Sequence, residues 1–267
     1  MKTSNKLWLG LGTVVAMGAT GCGSDDATDP MGDQQGMAEA AGEGGEGGEG
    51  GEGASAAEAA TNDVAYRTQL ALMRGHLLVG VDLYHHEQYE ASETHMKHPG
   101  DELYAAMVPA FEARETAGFG DQLSALADAV GGRAGRQVVD RAYVELLSAI
   151  RTAERAAPPL DARQTAMVIT ALVRTAAEEF AIARAEDGSL QNAHEYQDAL
   201  GFTRVANDLL RQLRPKTDNE DAVAAIEAQL MAIDPAWPGL LPPDHLEAEP
   251  SLLYSAAARI EIAAQQL

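Results

Sequence analysis

The stretch DARQTAMVITALVRTAAEEFAIARAEDG, Asp161 to Gly188, decides the fold class. Asp161 with Gln164 three places on forms a capping box, and Asp187-Gly188 supplies the stop at the far end. The interval is rich in Ala, Glu and Arg and shows no alternation of β-branched residues, so it reads as one long helix.

Working outward, the same reading repeats. Towards the C-terminus, Ser189 opens a helix carrying Leu190, Tyr196, Leu200, Phe202, Val205, Leu209 and Leu213, which ends at Pro215. Asp218 caps another helix, to about Ile233. A Pro-rich crossing from Asp234 to Pro250 carries Trp237 and leads to a last helix capped by Ser251. Towards the N-terminus, Val139, Tyr143, Leu146 and Ile150 share a helical face that stops before Pro158-Pro159, and Gly120 to Val130 stops at Gly131-Gly132. A segment starting near Asp101 meets Pro109, where it must kink or restart. A short helix from about Gln88 to Lys97 ends at His98-Pro99. The helix from Asp63 to His85 is apolar around most of its circumference outside Arg67, Arg74 and Asp82, so it should be central. Short connections favour antiparallel neighbours. The expected fold is all-α, a single antiparallel bundle of about eight or nine helices over residues 62–267.

The N-terminal residues read differently. Lys2 and Lys6, the apolar run Leu7 to Met17 and small residues up to Gly21 make residues 1–21 an export signal. Ala19-Thr20-Gly21-Cys22 resembles the lipobox of bacterial lipoproteins, which implies lipidation of Cys22. Gly23 after the cysteine, where inner-membrane lipoproteins tend to have Asp, implies the outer membrane, facing the periplasm. Residues 22–61 form a disordered tether: it is almost devoid of large apolar residues, and Glu43, Glu46, Glu49 and Glu52 recur between glycines. Its coil dimension is roughly 35 Å.

Cys22 is the only cysteine, so the domain is expected to have no disulfide and no Cys-ligated metal. The formal charge is −22. Such acidity opposes nucleic acid and anionic lipid as partners, leaving the lipid anchor as the membrane contact.

Five of the seven histidines, His76, His85, His86, His95 and His98, lie close together. A turn near His86 to Glu87 would let His76 and His95 face each other. His95 and His98 share a helical face, with Glu102 one turn beyond. Imidazoles and a carboxylate converging there would suit iron, copper or zinc. The alternative is a solvated turn at His85 and His86, a core His76, and His95 and His98 as helix-end cations. A second constellation brackets the turn after the long helix: Glu178 and Glu179 before it, His194 and Asp198 after it, with Glu178 nearly level with Asp198 in an antiparallel hairpin.

Within that second constellation, Glu178-Glu179-Phe180, Asp187-Gly188, Asn192, Glu195-Tyr196-Gln197-Asp198 and Gly201-Phe202 resemble the periplasmic helical region that accompanies bacterial ferrous-iron permeases. The resemblance, over residues 178–202, implies an accessory module near iron uptake, with Glu178, His194, Glu195 and Asp198 as its site positions. The chain has no Arg-Glu-Gly-Leu-Glu motif. No histidine has Glu three places before it, and neither His-Glu-x-x-His nor Gly-x-Ser-x-Gly occurs. The sequence therefore favours a non-enzymatic, membrane-tethered module that binds a transition metal through His76, His95, His98 and Glu102. Its rival is a helical scaffold for a periplasmic or membrane protein partner, with incidental histidines.

Overall fold

A computed structural model describes residues 55–267, apart from the side chains of His98, Asp101 and Glu102. The export signal, Cys22 and the tether up to residue 54 lie outside the described residues. Within them the fold is all-helical: ten α-helices and no strand, only isolated bridges at Arg184–Leu190 and Ser189–His245. None of these helices is long and apolar enough to cross a membrane.

The helices are α1 (Ala56–Thr61), α2 (Asp63–His85), α3 (Tyr89–His98), α4 (Tyr104–Ala113), α5 (Gly120–Gly131), α6 (Arg136–Glu154), α7 (Ala162–Ala183), α8 (Ala193–Leu213), α9 (Glu220–Ile233) and α10 (Pro250–Ala264). Helix α1 falls in a stretch read from sequence as tether. Ser55 caps it and Ala59 is fully buried, while Arg114 donates to the carbonyl oxygens of Ala59 and Ala60 at 2.8 and 3.0 Å and pairs with Asp63. The folded part therefore starts before Asn62.

One proline behaves differently from the sequence reading. Pro99 does not end the short helix: α3 runs through His98 into a five-residue π-helical turn, Pro99–Leu103, and Pro99 itself keeps helical angles. Such wide turns are frequent at functional sites. Pro109 sits inside α4, which continues to Ala113. Four helix ends also move; at one of them Asn219, not Asp218, caps α9. The capping box at α7 is present with both of its hydrogen bonds, 2.7 and 3.0 Å, but the helix stops at Ala183. Gly188 lies beyond it in the connecting turn, where its φ of 88° and the packing of His245 against it leave no room for a side chain. Asn192, not Ser189, caps α8, and Pro250 begins α10.

The core falls into two clusters. One joins α7, α8, α9 and α10, with Ala71 and Leu72 of α2. The α7–α8 hairpin is closed by Gln191 N–H donating to the Ala183 carbonyl at 2.8 Å. The crossing after α9 returns to this turn, where Leu246 N–H donates to Gly188 and Trp237 packs edge-on against Phe180 and Tyr196. From there α10 runs back along α7, with Arg174 pairing to Glu261, until Asn219 meets Gln266 at the opposite end. All four helices thus alternate in direction. The second cluster gathers α1 to α6 around Tyr66, Phe111 and Phe119. Helix α2 contributes to both, which is why its apolar residues cover most of its circumference.

Candidate metal centre

Glycines let three helices meet. At Gly75 on α2, an added Cβ would stand 2.5 Å from the Phe202 ring, and at Gly201 on α8 it would stand 2.5 Å from the Gly75 carbonyl oxygen. The α2 and α8 backbones are therefore in contact. On the other side of α2, Gly80 lies against His95 and Met96 of α3, and Ser92 Oγ donates to the Gly80 carbonyl at 2.7 Å. A Cβ at Gly75 or Gly201 would push α8 away from α2, whereas one at Gly80 would first displace the Met96 methyl.

This close approach brings three imidazoles to one carboxylate. His76 Nδ1 is 2.6 Å and His95 Nδ1 2.9 Å from Asp198 Oδ1, while His194 Nε2 is 3.0 Å from Asp198 Oδ2. His76, His95 and Asp198 are buried; only His194, at 19 % side-chain exposure, reaches the surface. The His95 and His194 rings stack at 4.1 Å, and His76 stands edge-on to Phe202. Buried Glu195 is held by Asn192, whose Nδ2 donates to it at 3.1 Å.

The electrostatics follow from this crowding. Burial opposes ionisation of Asp198, but the His76 and His95 charges and the imidazole hydrogen bonds outweigh it and hold its carboxyl well below the usual range. Burial likewise opposes the charged form of His194, yet its hydrogen bond to Asp198 and the charges of Asp198 and Glu195 raise its pKa.

Gln197 constrains the tautomer of His95. Its Oε1 lies 2.9 Å from His95 Nε2, while its Nε2 donates towards the Leu240 carbonyl. Since Oε1 can only accept, Nε2 of His95 carries a proton. In the neutral ring, Nδ1 then presents a lone pair to Asp198 Oδ1, and two lone pairs at 2.9 Å need a cation between them. A metal ion held by Nδ1 and Oδ1 would meet that need. Hydrogen bonding of the outer nitrogen is how proteins orient imidazole ligands.

His76, His95 and Asp198 each offer a ligand atom within 4.8 Å of the others, and so do His194, Glu195 and Asp198. An ion with bonds near 2.1 Å holds tetrahedral donors roughly 3.4 Å apart, so the imidazole contacts of Asp198, 2.6 to 3.0 Å, would lengthen by under about 1 Å to admit one.

The two constellations read separately from sequence are thus one site. His76 and His95 face each other, and Asp198 lies between them and His194. His98 ends α3 and Glu102 lies in the π-helical turn beyond it, with side chains outside the described part. Glu178 does not join: it is exposed and faces α10, where its charge acts on Tyr254. Successive helical residues point about 100° apart, and Glu179 is the buried one of the two. Sequence reading missed Gln197 as the partner of His95; its place beside Asp198 in a buried helix turn was the available signal. His85 pairs with Asp140 at 2.6 Å, away from the centre.

Residues 158–267 match the family model of the iron permease-associated 4-helix bundle domain. The match spans α7 to α10, contains residues 178–202, and links this bundle to iron permease-related systems. No curated protein and no solved structure matches the chain. His194, Glu195, Gln197 and Asp198 lie inside the matched region, whereas His76 and His95 lie outside it.

Proposed function

We propose that this chain is a metal-binding helical module accessory to iron uptake, acting beside a membrane permease and not as an enzyme. His76 Nδ1, His95 Nδ1 and Asp198 Oδ1 hold the ion, and Gln197 fixes the His95 tautomer for it. One observation carries the reading: a buried carboxylate ringed by imidazoles, in a chain whose C-terminal bundle resembles an iron permease-associated domain. Nitrogen and oxygen donors of this kind suit Fe²⁺, Zn²⁺ or Cu²⁺. Under this proposal the lipobox at Cys22 tethers the module to the outer membrane, and residues 22–54 hold it out in the periplasm.

A specific observation favours a second reading, a metal-free interaction scaffold. Both oxygens of Asp198 are already met by imidazole nitrogens, so the cluster is satisfied by protons alone. Elemental analysis of the purified full chain separates the two. Bound transition metal that disappears in a His76→Ala, His95→Ala double variant is the expected result; equal content in both proteins overturns the metal reading. Labelling with radioactive fatty acid, lost in Cys22→Ser, checks the anchor, and labelling that persists in that variant refutes it.

A further inference from the structure

We propose that Asp198 bridges two metal ions, one on each carboxylate oxygen. This rests on the metal-binding reading and goes beyond it by assigning a second position.

The two oxygens of Asp198 face different donor sets. Oδ1 is met by His76 and His95, from α2 and α3, and Oδ2 by His194 of α8, with Glu195 as the third member of that set. His76, His95 and Asp198 form one set of donors and His194, Glu195 and Asp198 another, so Asp198 is the member common to two three-donor sets. The stacked His95 and His194 rings lie side by side, their planes 20° apart, with a nitrogen of each directed at a different oxygen of the same carboxylate. That is the arrangement expected of ligands on neighbouring ions, which in two-metal sites lie about 3.5–4 Å apart.

Charge points the same way. Asp198 and Glu195 are both buried, and an oxygen of each and a nitrogen of His194 lie within 4.8 Å of one another. The first set supplies only one carboxylate, so an ion bound there leaves Glu195 uncompensated except by His194. A second cation at Oδ2, His194 and Glu195 neutralises it. Asn192, through its bond to Glu195, supports this position as Gln197 supports the first.

The positions differ in access. The first is enclosed, since His76, His95 and Asp198 are all at or below 1 % side-chain exposure, while the second opens to solvent at His194. The outer position is therefore the one that exchanges ions with a partner, and the inner one is retained.

Titration of the metal-free full chain with Zn²⁺, under competition from a weak chelator, tests this by stoichiometry. Two ions per chain are expected for the wild type, one for His194→Ala/Glu195→Gln, and none for Asp198→Ala, with circular dichroism confirming that each variant is folded. One ion in both the wild type and the His194/Glu195 variant overturns the bridge and leaves the single-ion reading intact. Two ions in both place the second elsewhere and also overturn it. No ion in the wild type removes both readings. Loading with Mn²⁺ gives a readout that folding defects do not mimic: a bridged pair shows spin coupling in its paramagnetic resonance spectrum, and a spectrum of isolated ions at two equivalents overturns the bridge.

Discussion

The bundle of α7 to α10 and the helices before it solve different problems. The bundle largely closes on itself: its helices alternate in direction, its turn is sealed by the Trp237 crossing, and α2 adds Ala71 and Leu72 to its core, with Val64 packed against it. Apart from α2 and α6 the preceding helices are short, at most 12 residues, and they are more interrupted, with a π-helical turn, an internal proline and three positive-φ residues, Glu87, Glu115 and Arg133, at helix connections. Yet the buried imidazoles His76 and His95 come from this less regular part, and the bundle contributes the carboxylate they share. A bundle that largely closes on itself can present Asp198 on its outer face because a second layer of helices covers it. The function proposed here therefore depends on the seam between the layers.

The largest effect that would break this picture is loss of the shared charge. Asp198→Asn leaves imidazoles from both layers without their counter-charge, and removing one partner of a buried ionic cluster costs about 3–5 kcal/mol. Denaturant unfolding of the metal-free protein should show a loss of this size; a loss below about 1 kcal/mol would mean that Asp198 is not the tie between the layers. A smaller effect is expected from Gly201→Ala. Its methyl would meet the Gly75 carbonyl at 2.5 Å, and relieving such a clash in a packed region costs about 1–3 kcal/mol. The sharper readout is metal affinity, which should fall while the helical content stays unchanged, because α2 shifts away from α8 without the bundle opening.

The smallest effect sharpens the comparison from the other side, within the N-terminal layer. Tyr66 is fully buried and its hydroxyl donates to the Ala153 carbonyl at 2.8 Å; burial pushes its pKa up to about 12, against the opposing pull of Arg114 and Arg67. A group whose folded pKa lies above its ordinary value of 10.0 contributes stability that is present below that value and lost as pH rises through about 12. Tyr66→Phe should cost about 1 kcal/mol at neutral pH and reduce the alkaline loss of stability between pH 10 and 12. Denaturation curves across that range check it, and an unchanged alkaline slope would show that Tyr66 is not the group responsible.

The all-helical class was legible because it rests on local chemistry. The Asp161–Gln164 box, the stop before Pro158 and the apolar circumference of α2 need no knowledge of the rest of the chain. Within the site, the confrontation of His76 with His95 was legible for the same reason, since a hairpin turn places them by counting. Their meeting with Asp198 was not, because it depends on α2 crossing α8 at Gly75 and Gly201, far apart in sequence. That Glu178 is exposed and Glu179 buried was not legible for a related reason: the register of a hairpin follows from its turn, but the inward face follows from what packs against it. The end of α3 was misplaced because Pro99 disfavours a helical His98 only locally, and the chain accommodates it by widening into a π-helical turn.

The contacts of Asp198 with His76 and His95 span 122 and 103 residues. Closing such long loops is slow, and it comes after the local hairpins have formed. The ligand set therefore does not exist in any partly folded chain that lacks a docked α8. Under the proposed metal binding, tight capture becomes a signal that folding is complete, because the proposed ligands meet only after α8 has docked.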